Sequence, residues 1–204
     1  MVKPQDIIVR RVERLEGWIP TFSGSGFHPI TPQVSEVAIT DIARGLAYKY
    51  RYGGHGDPIT VAEHSLLVAD IITTLWPNKT RGAISGLLHD ACEAYTQDIQ
   101  APFRKQIRVL KPDGSLITWG EMEKDILLVI QKALKIKGDL FSPEVRAADI
   151  LALALEKKQS PILQQYEDSW GIPEIPSELR GLYLQYLSPQ DAYVAFLDRF
   201  ESLL

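Results

Sequence analysis

Apolar residues recur at helical spacing along most of the chain. Val37, Ile39, Ile42 and Leu46, with Ala43 and Ala47, predict a helix over about 36–50, which the Gly53-Gly54 pair ends. Thr60 is an N-cap, with Glu63 three residues on as its capping-box partner, for a helix running to about Trp76. The apolar face of that helix is Leu67, Val68, Ile71, Ile72 and Leu75. A further helix is predicted over roughly 80–95, with Ile84, Leu87, Leu88 and Ala91 inward. Another starts near Trp119 and carries Met122, Ile126, Leu127, Ile130, Ala133 and Leu134. The next runs from Pro143, a good first-turn residue, through Val145, Ala148, Ala152 and Leu155, and the last lies near 189–203. Residues 17–33 differ: they are rich in Gly, Pro, Ser and aromatics, and Ser23-Gly24-Ser25-Gly26 between two aromatic-containing arms predicts a small hairpin or irregular loop. Alternating strand patterns are scarce elsewhere, and no repeat or interdomain linker stands out. The pattern therefore predicts an all-α chain with a small β-hairpin near the N-terminus, organised as a single domain over 1–204.

Composition acts mainly by exclusion. A chain of 204 residues, 45% hydrophobic and 24% charged, can bury a core that needs neither a disulfide nor a structural metal. Its one cysteine, Cys92, has no partner for an intramolecular disulfide, and no run of about 18 apolar residues offers a membrane span. The start, Met1 to Ile7, has no basic region followed by an apolar stretch, so no secretory signal is expected and a cytoplasmic location is. A formal net charge of −4 argues against binding a nucleic-acid polymer. It leaves open a small phosphorylated ligand, because one metal ion and a few local cations can supply the positive field. All four histidines, His28, His55, His64 and His89, fall in the first half.

Three predicted helices carry ionisable groups on inward faces: His64 on one, the adjacent pair His89-Asp90 on the next, Asp149 on a later one. Unpaired and buried, each costs several kcal/mol. Taken singly, each has an ordinary explanation: His64 as a hydrogen-bonded core residue, Asp149 as a partner of Arg146. Taken together, two imidazoles and two carboxylates make a mixed nitrogen and oxygen set suited to a divalent Mn²⁺, Co²⁺, Fe²⁺, Ni²⁺ or Zn²⁺. One ion answers all four burial problems. Glu93, four residues after His89 and three after Asp90, falls on the helix face they share, where a proton-handling group belongs.

These residues resemble the HD superfamily of metal-dependent phosphohydrolases. Val61-Ala62-Glu63-His64-Ser65-Leu66 is similar to its first motif, Leu88-His89-Asp90-Ala91-Cys92-Glu93-Ala94 to its second, and Ala148-Asp149 to its final aspartate. The spacings, 25 residues from His64 to His89 and 59 from Asp90 to Asp149, are compatible with that family. Upstream, Asp41 to Ala47 and Arg51-Tyr52-Gly53-Gly54-His55 are similar to the branch containing bacterial deoxynucleoside 5′-monophosphatases and phage dATP triphosphohydrolases.

The resemblance covers about 17–155 and implies an HD-type helical bundle, with 156–204 as C-terminal helices. It implies His64, His89, Asp90 and Asp149 as metal ligands, and a single metal, since no histidine follows His89. Glu93 and Asp98 match the acids that handle the attacking water or the leaving oxygen. Arg51 matches a substrate-facing arginine, and it precedes Gly53-Gly54, where backbone can approach a ligand closely. Lys105, after Ala101-Pro102-Phe103-Arg104, is similar to a Pro-x-Lys stretch that reaches phosphate; Lys49 and Arg104 are further candidate cations. Tyr52 stacks a base or packs at a helix end. His55, before Gly56-Asp57-Pro58, bonds phosphate, positions the leaving group or fixes its loop. His28 is a hairpin or surface residue, and Cys92 a packing residue.

The activity implied is hydrolysis of a nucleotide phosphate ester or anhydride. A dNTP triphosphohydrolase of the dATP type, releasing triphosphate, comes first. The alternatives are a deoxynucleoside 5′-monophosphatase and a nucleotide-binding module without turnover. No glycine-rich loop ending in Gly-Lys-Ser/Thr occurs. A homo-oligomer is expected, with the segment around Trp170, Leu182, Tyr183 and Tyr186 either covering the core or meeting a partner.

Overall fold

The computed structural model describes residues 17–79, 81–166 and 170–204. The reading of Met1–Ile7 and the helix start at Thr80 lie outside these residues. In chain order the elements are strands β1 (Ile19–Pro20) and β2 (Gly26–Phe27), helix α1 (Ile39–Ala47), a 3-10 turn (Arg51–Gly54), helices α2 (Val61–Leu75), α3 (Gly82–Leu87), α4 (Glu93–Thr96) and α5 (Ala101–Arg104), strands β3 (Arg108–Leu110) and β4 (Leu116–Thr118), and helices α6 (Trp119–Ala133), α7 (Pro143–Gln159) and α8 (Pro189–Ser202). The chain is mostly helical, and no helix among the described residues is long and apolar enough to cross a membrane.

Helix α2 packs against α1, α3, α7 and α8. It starts where the Thr60 hydroxyl accepts the Glu63 amide at 3.0 Å. Its Val61, Ala62 and Ala69 join a core with Phe27, Ile42, Leu46, Leu87, Ile126 and Phe196, while Val68, Ile71 and Ile72 pack with Ile59, Leu155 and Leu179. The longer helices carry their own start signals. Thr118 and Glu121 form a reciprocal capping box on α6, Ser142 caps α7 ahead of Pro143, and Ser188 caps α8.

Glu63 departs from expectation. Its carboxylate does not reach back to close a capping box; it accepts the backbone N–H groups of Gln185, Tyr186 and Leu187 at 2.6, 2.8 and 3.2 Å. A single buried acid thus ties the segment before α8 onto α2.

Three elements differ from the sequence expectation. The first helix is shorter, Ile39–Ala47, with a separate 3-10 turn at Val34–Glu36. The helix expected over 80–95 breaks in two, and between α3 and α4 the backbone follows i to i−3 bonds at Ala91, Glu93 and Ala94. The break has a local cause: the His89 imidazole donates Nδ1–H to the Gly86 carbonyl at 2.7 Å, the acceptor that a continuing α-helix would use for Asp90. Finally, the expected hairpin is present, with Ile19 opposite Phe27, but it is not alone. Strands β3 and β4 pair with Val109 opposite Ile117, across a turn with Gly114 at φ +85° and Asp113 accepting the Ser115 amide. Pro112-Asp113-Gly114 is the turn signal that marks it.

Candidate metal centre and its cavity

His64 is fully buried one turn into α2. Its Nδ1 lies 2.7 Å from Glu156 Oε1 on α7. In His89, on the turn after α3, Nδ1 faces a carbonyl, which can only accept, so Nδ1 carries a hydrogen and, in the neutral ring, Nε2 the lone pair. The Glu156 carboxylate imposes the same tautomer on His64. Burial opposes its ionisation, but Arg51 and His64 hold its carboxyl down to about 2. Hydrogen-bonded outer nitrogens of this kind fix ring orientation in metal-ligating histidines.

The two Nε2 atoms converge, with ring centroids 5.2 Å apart, and among the described residues neither has a hydrogen-bond partner although both are buried. Carboxylates close on them from two sides. Asp149 Oδ1 is 3.1 Å from His64 Nε2 and 3.7 Å from His89 Nε2, and Asp90 Oδ2 is 3.1 Å from His89 Nε2 and 3.7 Å from His64 Nε2. One ligand atom from each of His64, His89 and Asp90 falls within a 4.8 Å cluster, and Asp149 flanks it. Lone pairs and carboxylate oxygens aimed at one point repel unless a cation stands between them. Protonation of an imidazole relieves the same crowding: against burial, Asp90 and Asp149 raise the His89 imidazole well above its usual range, and against burial His89 and His64 hold Asp90 down to about 2. Two imidazole nitrogens and two carboxylates fit a divalent transition ion.

Asp90 and Asp149 form part of the wall of a cavity of about 520 Å³, which Arg51, Tyr52, Glu93, Asp98, Gln100, Arg104 and Trp170 also line. Arg51 donates Nε–H to Glu156 Oε2 at 3.0 Å. The guanidinium is charged in spite of burial, because Glu156 lies against it. Tyr52 sits at φ 58°, a left-handed conformation that costs a bulky residue about 1–2 kcal/mol. Its hydroxyl donates to Glu156, which holds the ring in place, and its ring lies 6.1 Å from that of Trp170, inclined by 25°.

Glu93 is buried, and among the described residues its Oε2 has no hydrogen-bond partner. Burial, then the Asp90 and Asp98 carboxylates, push its carboxyl well above the ordinary range, and burial also raises Asp98. A carboxyl raised in this way is a better proton acceptor than an ordinary one, and it stands beside the His64, His89 and Asp90 group. Lys49 serves this region from below: its ammonium donates to the carbonyls of Glu93 and Ala94 at 2.5 and 2.6 Å. That capping role replaces the phosphate contact considered for it.

Seven sequence candidates therefore line one cavity, Arg51, Tyr52, Asp90, Glu93, Asp98, Arg104 and Asp149, with His64 and His89 converging on the same two aspartates. His55 and Lys105 do not join them; both are exposed and outside the lining. Arg104 stands in the wall instead and pairs with Glu123. His28 bonds Glu36 through Nδ1 at 2.6 Å, behind the first hairpin, and Cys92 is buried in the core. Two residues escaped the sequence reading of the site. Trp170 gave no signal beyond its aromatic character. Glu156 did give one: it lies seven residues, two helical turns, after Asp149, an acid within the apolar stripe of Ala152 and Leu155.

No family model matches the chain. Over 189 residues it is 30% identical to the uncharacterized protein YfdR of Escherichia coli, an alignment covering 91% of this chain and 95% of that one. Over 196 residues it is 29% identical to the uncharacterized protein RCAP_rcc00048 of Rhodobacter capsulatus, covering 92% of this chain and 95% of the other. The chain belongs to the family of the Escherichia coli protein YfdR.

Proposed function

We propose that this protein is a metal-dependent phosphohydrolase of deoxynucleotides, of the HD type that its motifs resemble. The observation that carries the reading is the pair of buried, unpartnered Nε2 atoms of His64 and His89, facing the carboxylates of Asp90 and Asp149 at a cavity that also holds Arg51 and Glu93. His64, His89, Asp90 and Asp149 would hold one divalent Mn²⁺, Co²⁺, Fe²⁺, Ni²⁺ or Zn²⁺. Such an ion, when bound, supplies Lewis acidity that acidifies water and polarises a phosphoryl oxygen, worth several kcal/mol.

The chain's own residues do the rest. Arg51, pinned at Nε, presents its two terminal nitrogens to phosphoryl oxygens and offsets the charge that builds on them. Glu93 takes the proton of the attacking water through the unpartnered Oε2, with Asp98 as the second acid at the same wall. Tyr52 and Trp170 supply an aromatic surface for the base.

Release of triphosphate from a dNTP of the dATP type is the first form of the activity. One observation favours the monophosphatase form: Lys105 and His55 stay outside the cavity, and Arg104 is engaged by Glu123, so few cations remain for a long polyphosphate. A nucleotide is the proposed partner, the assembly a homo-oligomer and the compartment the cytoplasm. The test is a panel of dNMPs and dNTPs with Mn²⁺ or Co²⁺, read by the released product. Triphosphate from a dNTP supports the first form and phosphate from dNMPs the second. A metal-loaded protein inert on the whole panel overturns the enzyme reading in favour of a binding module.

A further inference from the structure

Glu156 is fully buried, and its carboxylate serves both halves of the site. Oε1 accepts from His64 Nδ1 at 2.7 Å. Oε2 accepts from Arg51 Nε at 3.0 Å and from the Tyr52 hydroxyl. Three elements meet on this one side chain: α2 through His64, the 3-10 turn through Arg51 and Tyr52, and α7 through Glu156 itself. A buried charge is a poor way to join elements for stability alone, because its desolvation cost offsets most of the attraction and apolar packing serves as well.

What the carboxylate does supply is direction. An imidazole held at Nδ1 must aim Nε2 at Asp90 and Asp149. A guanidinium held at Nε is fixed in rotation, and Arg51 lines the cavity, where donors not engaged by Glu156 can serve an anion. We infer that Glu156 is a positioning residue that sets the His64 ligand nitrogen and the Arg51 anion-binding fork together, so that the metal and anion subsites are coupled through one carboxylate. The inference rests on the metal-dependent reading of the cavity. It goes beyond that reading in assigning the two subsites a shared support, which also holds Tyr52 in its left-handed conformation.

The experiment uses the full chain stripped of metal, with Mn²⁺ and inorganic phosphate as probes in calorimetric titrations. Glu156→Gln keeps the shape, but its amide nitrogen must face N–H donors on one side. The expected result is a 10–100-fold loss of Mn²⁺ affinity, the range for outer partners of ligating histidines. Phosphate affinity at saturating Mn²⁺ should fall by about 10-fold as well. Arg51→Ala should weaken phosphate while leaving Mn²⁺ within about twofold. In the double variant, phosphate should bind no worse than in Arg51→Ala alone, since the arginine's contribution depends on the glutamate.

A merely structural tie lowers the melting temperature without this pattern. Parental affinities for both probes in Glu156→Gln, or phosphate losses that add in the double variant, overturn the inference. Should Glu156→Gln fail to fold, Glu156→Asp keeps the charge but withdraws it by one methylene, and parental affinities there overturn the inference equally. A parent protein that binds no Mn²⁺ removes the metal reading and the inference with it, whereas Mn²⁺ binding indifferent to Glu156 removes the inference alone.

Discussion

Asp149 Oδ1 lies 3.1 Å from His64 Nε2, an approach that exists only because α7 packs along α2. The histidine is fully buried and the aspartate side chain 44% exposed, so the pair spans from floor to rim of the cluster. Asp90 completes the set from the other side, and losing it leaves both imidazoles with one carboxylate. Asp90→Ala is expected to lower Mn²⁺ affinity by at least about 100-fold, beyond the usual effect of outer partners, and to abolish turnover with it. Elemental analysis and activity on the same sample check this. Turnover by a metal-depleted Asp90→Ala protein would falsify the proposed chemistry.

The cations divide by position. Arg51 lines the cavity, held at Nε by Glu156, while Lys105 and His55 are exposed outside it. Loss of a charge-assisted contact to phosphate costs about 1.5–3 kcal/mol, so Arg51→Ala should lower kcat/KM by roughly 10–150-fold. Lys105→Ala and His55→Ala should each stay within about threefold. Steady-state kinetics on the best substrate of the nucleotide panel decides, and a large loss from Lys105→Ala would mean that its loop closes over the ligand.

Gly45 of α1 lets the α4 segment come close: a Cβ built there would lie 2.8 Å from the Cα, Cβ and carbonyl oxygen of Ala94, next to Glu93. Backbone cannot yield as a side chain does. Gly45→Ala is expected to cost about 1–3 kcal/mol through overpacking, despite the better helix propensity of alanine. Urea unfolding measures it; an unchanged or higher midpoint would show that α1 and α4 can separate freely.

Lys49 ties stability to pH. Burial lowers its ammonium from 10.5 to about 8, although it donates to the Glu93 and Ala94 carbonyls. Between pH 8 and 10.5 the unfolded chain therefore holds more protons at this site than the folded one. Stability contributed by this group rises with pH across that window, and below pH 8 the cost is fully in force. Lys49→Met removes the titration. The stability of the parent relative to Lys49→Met should climb from pH 8 towards 10.5 in paired urea titrations, and a flat or falling difference contradicts the assignment.

Much of this was legible along the chain. The start of α2 is read from the cap at Thr60 and that of α7 from Pro143 in its first turn, and the residues that converge at the cavity are polar groups interrupting apolar faces. Both signals act within a turn or two of the backbone, so a window of sequence contains them whole. The Pro112-Asp113-Gly114 turn is equally local, but the strands it joins are three residues each, too short for an alternating pattern to mark them.

What only tertiary structure decided lies at longer range. Glu156 meets His64 across 92 residues and Glu63 meets Gln185 across 122, partnerships set by which helix faces pack together. The choice of Arg104 over Lys105 for the cavity wall turns on a single residue of phase in a four-residue helix. Periodicity determines which side of a helix is buried. The identity of the donor or acceptor waiting on that side depends on the packing of the other helices, and that arrangement turns His64, His89, Asp90 and Asp149 toward one another.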